Sequence, residues 1–378
     1  MAKKVLLGFS GGVDSAVSAY LLKKEGYEVD ACFMRNWDSI TNNDISGNPT
    51  LNLSKCSQEL DYDDAISTAK VLGIKLLRKD FIEEYYSDVF SQFLNTYKQG
   101  YTPDPDVFCN KYIKFGHFIN YAKSLNYDYI AMGHYAKKIY ENNEAHLYKA
   151  KDLNKDQSYF LSQLTCSQLD YCLFPLADIC KTEVRVLAEK LHLPVAKKKD
   201  STGVCFIGER NFKQFLSNYL PSKEGDIVDM KTHKVIARHD GILYYTIGQH
   251  RGLNIGGVKG FSDEPFFVVG KDLKKNILYV SQENTDFRFS YKCLLTSFNF
   301  IGSDLDLSNL KCNCKFRYRG KDLPVTLNRI NDNEAYLKYD AIPYVCKGQI
   351  AAIYLGDRLI ASGIISKTYN KDDQVIEY

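Results

Sequence analysis

The segment from Gly8 to Ser15 reads G-F-S-G-G-V-D-S and joins a predicted strand to a predicted helix. The apolar run Val5-Leu6-Leu7 precedes this segment, and a helical pattern begins directly after it. Gly11 and Gly12 allow backbone angles that other residues avoid, and they let backbone N–H groups approach a ligand closely. Because the start of a helix adds unpaired N–H groups and a partial positive charge, the segment predicts a site for a phosphate chain.

The same segment lacks the lysine of a P-loop, which follows four variable residues as Gly-Lys-Ser or Gly-Lys-Thr. This difference excludes the phosphate loop of kinases and GTPases. The alternative interpretation is a glycine-rich turn whose helix is capped by Asp14 or Ser15, since short motifs often match by chance. The position of the segment in the first strand–helix unit favours a nucleotide.

Short apolar runs alternate with helical patterns over residues 1–210, which predicts an α/β domain with a parallel sheet. The predicted strands are Val5–Phe9, Val29–Met34, Lys75–Arg78 and Tyr129–Met132, and the predicted helices lie around Asp64–Leu72, Ile82–Thr96 and Lys111–Ser124. Residues 211–275 read as a small, glycine-punctuated central domain. Strand-like runs recur at short spacing in residues 276–378, which predicts a C-terminal all-β barrel or sandwich.

Ligands of open α/β sheets bind beyond the carboxyl ends of the strands. Three segments lie at those ends: Gly8–Ser15, Met34-Arg35-Asn36 and Met132-Gly133-His134. We therefore expect them to surround one site. The polar stretch 36–57 is rich in Asn and Ser and predicts a mobile loop beside it.

The net charge of +3 over 378 residues is too small to indicate a nucleic-acid-binding protein by itself. A basic surface must come from local clusters such as Lys197-Lys198-Lys199 or the segment from Arg317 to Lys321. No apolar run approaches the ~18 residues of a membrane span, so we expect a cytoplasmic protein that does not bind a membrane. The 11 cysteines show no C-x-x-C pair, and the sequence indicates no dedicated metal-ligand set.

Two cysteines have turn residues and charges as neighbours. Cys109 follows two prolines and lies where a helix is predicted to begin, so the helix dipole and Lys111 favour its thiolate. Cys205 lies between a triple-lysine run and a glycine-flanked turn, a setting in which a thiol attacks or accepts sulfur as a persulfide. Each cysteine alone is better explained as a structural thiol under a loop. Together with the glycine loop, the two thiols indicate activation by ATP followed by attack from sulfur.

Seven motifs run in order along the chain: G-F-S-G-G-V-D-S (8–15), F-M-R-N-W (33–37), P-D-P-D-V-F-C-N-K-Y-I-K-F (103–115), M-G-H-Y-A (132–136), K-D-Q-S-Y-F-L (155–161), D-S-T-G-V-C-F-I-G-E-R (200–210) and T-I-G-Q-H-R-G-L-N-I-G-G (246–257). In this combination the chain resembles the bacterial tRNA-specific 2-thiouridylases, the MnmA or TrmU family, over essentially its whole length. The resemblance implies an N-terminal ATP-pyrophosphatase domain, similar to adenine nucleotide α-hydrolases, a small central domain and a C-terminal β-barrel. It implies a sulfurtransferase that adenylates the C2 oxygen of the wobble uridine in tRNA anticodons and replaces it by sulfur, giving 2-thiouridine, AMP and pyrophosphate.

The resemblance also implies roles for individual residues. It implies contacts to ATP for Gly8, Phe9, Ser10, Gly11, Gly12, Val13, Asp14, Ser15, Met34 and Gly133. It makes Cys109 the nucleophile, Cys205 the persulfide carrier and Asp106 an acid/base group, and the two cysteines can form a transient disulfide. It implies contacts to the target base or the tRNA for Asp104, Pro105, Asp106, His134, Lys155, Asp156, Gln157, Arg317, Tyr318 and Gln349.

The implied chemistry is coherent. The C2 carbonyl is a poor electrophile, and adenylation turns its oxygen into a leaving group. A persulfide then delivers the sulfur, which the second thiol releases by thiol–disulfide exchange. Since a disulfide needs Cα atoms within ~7 Å, the two cysteine loops must converge beside the nucleotide, and we expect a loop movement when tRNA binds.

The implied partners are a tRNA with uridine at the wobble position and a persulfide sulfur donor, either a cysteine desulfurase or a sulfur-relay protein. ATP is the expected substrate and Mg²⁺ the expected ion; Asp14 either holds that ion or caps the helix. Asp104 departs from the Asn usual in the family and places an extra carboxylate near the base. The competing hypotheses are another ATP-pyrophosphatase ligase acting on tRNA or a small amide, which needs no cysteine pair, and a non-catalytic RNA-binding protein.

Overall fold

The computed structural model describes residues 2–51, 56–200, 203, 205, 207–208, 210–221, 223–282 and 288–377. The N-terminal region contains a five-stranded parallel sheet in the order β3-β2-β1-β4-β7. Its strands are β1 (Lys4–Gly8), β2 (Glu28–Arg35), β3 (Leu76–Asp80), β4 (Tyr129–Ala131) and β7 (Cys172–Leu173). The predicted α/β class is confirmed, since Val5, Leu6 and Leu7 are fully buried, as expected for a parallel strand covered on both faces.

Helices cover both faces of this sheet. They are α1 (Val13–Lys24), α2 (Ser57–Leu72), α3 (Ile82–Tyr85), α4 (Ser91–Lys98), α5 (Pro105–Phe108), α6 (Phe118–Ser124), α7 (Cys166–Asp170) and α8 (Lys181–Lys190), with a 3₁₀ turn at Ser158–Leu161. π-helical segments at Tyr86–Phe90 and Cys109–His117 join α3 to α4 and α5 to α6. Successive residues of β1 face opposite sides of the sheet: Leu6 packs in the cluster of Phe118, and Leu7 in that of Val17.

A second, four-stranded sheet forms the centre of the chain, in the order β10-β11-β8-β9. This region contains α9 (Phe212–Ser217), β8 (Gly225–Asp229), β9 (Val235–His239), a 3₁₀ turn at Ile242–Tyr244, β10 (Phe267–Asp272) and β11 (Ile277–Ser281). β10 and β11 pair as a tight hairpin, and β11 also pairs in parallel with β8. The boundary predicted between residues 275 and 276 therefore falls inside this hairpin, because a strand pattern alone does not show which sheet a strand joins.

The C-terminal region is a closed antiparallel barrel, as predicted. Its strands are β12 (Phe289–Phe300), β13 (Leu310–Lys315), β14 (Leu323–Arg329), β15 (Ala335–Pro343), β16 (Ile350–Leu355) and β17 (Arg358–Tyr369). They follow the order β12-β15-β14-β13-β16-β17, and pairing of β12 with β17 closes the barrel. A hairpin from the N-terminal region, β5 (Ala136–Glu141) and β6 (Glu144–Lys149), extends this sheet because β6 pairs with β17.

Two local expectations differ from the structure. The stretch predicted as a mobile loop is anchored over residues 36–51: Trp37 and Asp44 are buried, and Asp44 pairs with Arg210. Residues 52–55 of that stretch lie outside the described residues. A strand-like run in the sequence extends from Cys312 to Tyr318, but β13 ends at Lys315, so Arg317 and Tyr318 lie in a turn.

No helix in the described part of the chain is both long enough and apolar enough to span a membrane.

Candidate active site

The glycine loop connects β1 to α1 through backbone that only glycine allows. Gly11 has φ +71°, and a Cβ there would run into the Asp61 carbonyl oxygen of α2. Gly12 is the N-cap of α1, with no side-chain hydrogen bond capping the helix. Capping by Asp14 or Ser15 is therefore wrong, and the first-turn N–H groups of α1 remain suited to an anion, while nucleotide binding by the loop stays a prediction.

The remaining predicted loop residues fall into two groups. The Ser10 N–H donates to the Ser15 hydroxyl over 3.3 Å, and the Ser15 hydroxyl donates to the Gly12 carbonyl over 3.0 Å. The side chains of Phe9 and Val13 are buried in the apolar core, so these two residues can contact a ligand only through their backbone. The serine hydroxyls and backbone N–H groups thus form the polar part of the loop.

The ends of β2 and β4 lie next to the loop, as predicted. A Cβ at Gly133 would lie 3.1 Å from the Ser15 nitrogen, so the backbone after β4 passes directly over the start of α1. Met34 and Met132 approach Gly8 from the neighbouring strands. The arrangement therefore places the polar loop next to two thioether side chains.

Two lysines from distant segments reach this loop. Lys181 Nζ lies 2.7 Å from both carboxylate oxygens of Asp14, and the Tyr135 hydroxyl donates to the same carboxylate over 2.8 Å. Lys198 Nζ donates to the Gly11 carbonyl over 3.0 Å and pairs with the carboxylates of Asp61 and Asp64. The sequence interpretation missed Lys181 altogether and treated Lys198 only as part of a charge run.

Asp200 forms ion pairs with three basic side chains near the loop. Lys155, Lys181 and Arg185 each approach its carboxylate within 2.8 Å. Burial opposes its ionisation, but hydrogen bonds from Lys155 and Lys181 outweigh burial and lower the pKa of Asp200 to about 2. Asp14 thus serves as a partner of Lys181, and among the described residues the carboxylates nearest the loop are each held by a lysine. This donor set does not fit a dedicated magnesium site.

The two predicted cysteines meet within the same domain. The Cys109 thiol donates a hydrogen bond to the Cys205 sulfur over 3.5 Å, and both thiols are free. Cys109 is fully buried, whereas Cys205 is only partly buried. The Tyr85 hydroxyl donates to the Cys205 carbonyl over 2.9 Å, and the Cys205 N–H donates to the Asp106 carboxylate over 3.0 Å. These bonds hold the thiols together, so their approach needs no loop movement.

The electrostatics of the two thiols differ. Burial raises the pKa of the Cys109 thiol well above its usual value. The hydrogen bond from Cys109, followed by the charge of Lys114, lowers the pKa of Cys205. The prediction that a helix start and Lys111 activate Cys109 is wrong: the helix begins at Pro105, and Lys111 bonds to Gln163 over 3.0 Å. Proline favours the first helical position, which explains the earlier start.

The segment Asp104-Pro105-Asp106 leads into the cysteine helix. The Tyr159 hydroxyl lies 2.8 Å from the Asp104 carboxylate and 3.0 Å from the Ile350 carbonyl oxygen. Burial, with the nearby charge of Asp106, raises the pKa of Asp104 to about 7. Burial also raises the pKa of Asp106, although the Cys205 N–H partly offsets this. Both carboxyls are thus shifted toward the range in which a group can exchange protons.

Most residues predicted to contact tRNA hold the site together in this structure. Lys155 pairs with Asp200, the Gln157 side chain accepts from the Tyr135 N–H over 3.0 Å, and Asp156 accepts from the Ala150 N–H over 3.1 Å. Gln349 of the barrel donates to the carbonyls of Thr102 and Pro103. By contrast, Arg317 is exposed, and Tyr318 packs against Phe160, with ring centroids 4.1 Å apart and ring planes tilted by 39°. The contacts of these residues to tRNA stay predictions.

Several buried polar atoms, at the ends of β2 and β4 and in the helix of Cys109, lack a partner within the described part of the chain. They are both side-chain polar atoms of Asn36, Oδ1 of Asn110 and Nδ1 of His134. Burial also lowers the pKa of His134 well below its usual value, so this side chain is neutral. Since an unsatisfied buried polar group is costly, these atoms indicate a polar guest at this edge of the sheet.

Comparison with known proteins agrees with these domains. Residues 3–209 match the family described as tRNA methyl transferase HUP domain, residues 213–282 the tRNA methyl transferase PRC-barrel domain, and residues 290–365 the aminomethyltransferase beta-barrel domain.

Curated relatives match nearly the whole chain. The tRNA-specific 2-thiouridylase MnmA of Mycoplasma capricolum subsp. capricolum is 51% identical over 377 residues, which covers 97% of this chain and 99% of the relative. The MnmA proteins of Mycoplasma mycoides subsp. mycoides and Metamycoplasma arthritidis are each 50% identical, and cover 97% and 99% of this chain and 99% of their own lengths. The resemblance inferred from the motifs is confirmed: the chain belongs to the tRNA-specific 2-thiouridylase family, whose members are sulfurtransferases.

Proposed function

We propose that this protein uses ATP to replace the C2 oxygen of the wobble uridine of a tRNA by sulfur, which gives 2-thiouridine, AMP and pyrophosphate. The observation that carries the proposal is the pair of free thiols, Cys109 and Cys205, 3.5 Å apart in the same domain as the glycine-rich loop. The segment after β4 links the two: Gly133 lies against Ser15, and the next residue, His134, packs on Phe115 of the cysteine helix. The names of the relatives supply the substrate class.

ATP would bind at the glycine loop with its phosphates over the start of α1. Lys181 and Lys198 supply the positive charge that a P-loop lysine supplies elsewhere, and both already lie at the loop through Asp14 and Gly11. Attack by the uridine C2 oxygen on the α-phosphorus then forms an oxygen–phosphorus bond and expels pyrophosphate. Mg²⁺ stays a prediction, and it would enter with the polyphosphate rather than on a protein carboxylate.

The opposite pKa shifts of the two thiols would decide their roles in sulfur transfer. Cys205, whose pKa is lowered, suits the sulfur acceptor and attacks the outer sulfur of a donor persulfide, which releases the donor thiolate. The outer sulfur of the resulting Cys205 persulfide attacks C2, and AMP leaves with the oxygen. Cys109 then attacks Cys205 Sγ: a Cys109–Cys205 disulfide forms, the bond to the transferred sulfur breaks, and the electron pair stays on that sulfur as the thiocarbonyl. An external thiol reductant restores the two cysteines.

The target base would enter next to Asp104-Pro105-Asp106. A wobble base is unpaired in the anticodon loop and can be splayed out into a pocket, as many RNA-modifying sites require. Asp106 lies at the sulfur pair through the Cys205 N–H and is the candidate acid/base group. Arg317 of the barrel is exposed and would contact RNA phosphates.

The test incubates the protein with ATP, a persulfide donor and unmodified tRNA, followed by nucleoside mass analysis. We expect 2-thiouridine from the wild type, none from Cys109→Ser or Cys205→Ser, and wild-type amounts from the matched control Cys166→Ser, whose thiol lies on α7. A competing ligase would release AMP without sulfur incorporation and would not depend on either thiol. Retained thiolation in both cysteine variants contradicts the proposal.

A further inference from the structure

Lys114 lies one π-helical turn beyond Cys109. The segment Cys109–His117 is π-helical, and at its end the Phe118 N–H bonds to the Ile113 carbonyl, five residues back. On an α-helix, five residues advance roughly 140° beyond a full turn, which would aim Lys114 away from Cys109. The wider i→i+5 turn instead brings residue 114 back toward the side of the helix that carries residue 109. The backbone irregularity therefore turns this lysine toward the thiols.

Lys114 completes a cluster of four reactive or charged groups. Cys109, on the same helix, lies 3.5 Å from the Cys205 sulfur, and the Asp106 carboxylate accepts the Cys205 N–H. The positive charge of Lys114 acts on both sulfurs and on Asp106. Burial disfavours the charge of Lys114, yet the neighbouring Cys205 and Cys109 sulfurs outweigh burial and raise its pKa. The charge of Lys114 also acts on His134, where it lowers the pKa together with burial and so favours the neutral side chain. The ammonium thus directs its charge at the sulfur pair.

We propose that Lys114 is the catalytic cation of the sulfur-loading step, which holds Cys205 as the thiolate that attacks the donor persulfide. The step forms the bond from Cys205 Sγ to the outer donor sulfur, breaks the donor sulfur–sulfur bond and leaves the donor as a thiolate. The proposal rests on the function proposed above. It adds a residue that the sequence interpretation had passed over in favour of Lys111.

Other groups around Cys205 do not supply this charge. Cys109 donates its thiol proton to Cys205, the Tyr85 hydroxyl bonds to the Cys205 carbonyl oxygen, and Asp106 is an acid that accepts the Cys205 N–H. Lys111, on the same helix, bonds to Gln163 instead. Among the described residues, Lys114 is the cation whose charge lowers the pKa of Cys205.

The test measures alkylation of Cys205 by iodoacetamide against pH, with peptide mass analysis to separate it from the other cysteines. We expect Lys114→Gln to move the midpoint of Cys205 alkylation up by at least one pH unit, so that its rate at pH 7 falls about tenfold. Lys114→Arg should restore most of the rate, since it restores the charge. Lys111→Gln is the matched control and should leave the profile unchanged.

An unchanged profile in folded Lys114→Gln, or an equal shift in Lys111→Gln, overturns the inference. Should Lys114→Gln fail to fold, the wild type still decides: Cys205 must show a lower alkylation midpoint than Cys109, and the reverse order overturns the inference. The measurement uses neither ATP nor tRNA. A shift in alkylation without 2-thiouridine formation would therefore contradict the proposed function alone, and thiolation with an unshifted profile would contradict only the role of Lys114.

Discussion

Asp104 shows how one residue can depart from its family and still fit the site. The hydroxyl of Tyr159 has one proton but faces two acceptors, the Asp104 carboxyl and the Ile350 carbonyl. When Asp104 is protonated, its own O–H can donate to the Tyr159 oxygen, and Tyr159 can then donate to Ile350. The raised pKa of Asp104, about 7, keeps this neutral form populated. A neutral Asp closely matches the shape of the Asn that the family resemblance leads one to expect at this position.

This interpretation predicts a pH-dependent stability that Asp104→Asn removes. Between the unfolded pKa of 3.8 and the folded pKa of about 7, the folded protein binds more protons, so its free energy of unfolding falls as pH rises. Across this window the loss is of order 4 kcal/mol. Urea unfolding from pH 4 to pH 8 should show this loss in the wild type and not in Asp104→Asn. The exposed Asp263→Asn serves as control, and parallel curves for wild type and Asp104→Asn contradict the assignment.

The stretch from Asn36 to Leu51 acts as an anchor for the segment that follows Cys205. Asp44 is fully buried, accepts from the Trp37 indole N–H over 3.1 Å and pairs with Arg210 over 2.8 Å. Arg210 ends the motif that carries Cys205. The anchor thus connects the end of β2 to the cysteine loop and helps fix the thiol position.

Asp44→Asn should destabilise the protein strongly. The substitution removes the charge of one partner of a buried ion pair, and breaking such a pair costs about 3–5 kcal/mol. The control is Asp332→Asn, which breaks the solvent-exposed pair of Asp332 and Arg329 and should cost less than about 1 kcal/mol. Urea midpoints of the two variants against the wild type measure the difference. Equal, small shifts would show that the anchor contributes nothing.

At the scale of the molecule, the barrel is coupled to the catalytic domain. β6 pairs with β17, the Thr102 N–H donates to the Lys347 carbonyl, and Gln349 bonds to the carbonyls of Thr102 and Pro103. The barrel therefore holds the segment that leads to Asp104 and Cys109. These contacts would connect RNA bound on the barrel to the segment that carries Asp104 and Cys109.

Arg317→Gln should weaken tRNA binding and change its dependence on salt. If Arg317 neutralises one phosphate, the slope of log affinity against log salt concentration should decrease in magnitude by about 1. Filter binding of unmodified tRNA at several salt concentrations gives this slope. Arg329→Gln, on another part of the barrel, should keep the wild-type slope. An unchanged slope in Arg317→Gln removes this residue from the interface.

The fold and the glycine loop were predictable from local patterns. Val5 to Leu7 read as a buried parallel strand because both faces of the sheet are covered, and Gly11 is required by its positive φ. The site cations were not predictable in this way. Lys181 and Lys198 reach the loop only through tertiary contacts, and Lys114 depends on a π-helical turn that α-helical periodicity misplaces. The assignment of β11 to the central sheet likewise depends on pairing with β8, which no local pattern contains.

The most direct test of the account is a single turnover without reductant. The protein is loaded with isotopically labelled sulfur at Cys205, freed of excess donor, and mixed with ATP and unmodified tRNA; mass analysis then follows both the nucleosides and the cysteine peptides. The account predicts one labelled 2-thiouridine for each Cys109–Cys205 disulfide formed. Labelled 2-thiouridine produced while both cysteines remain reduced would contradict it.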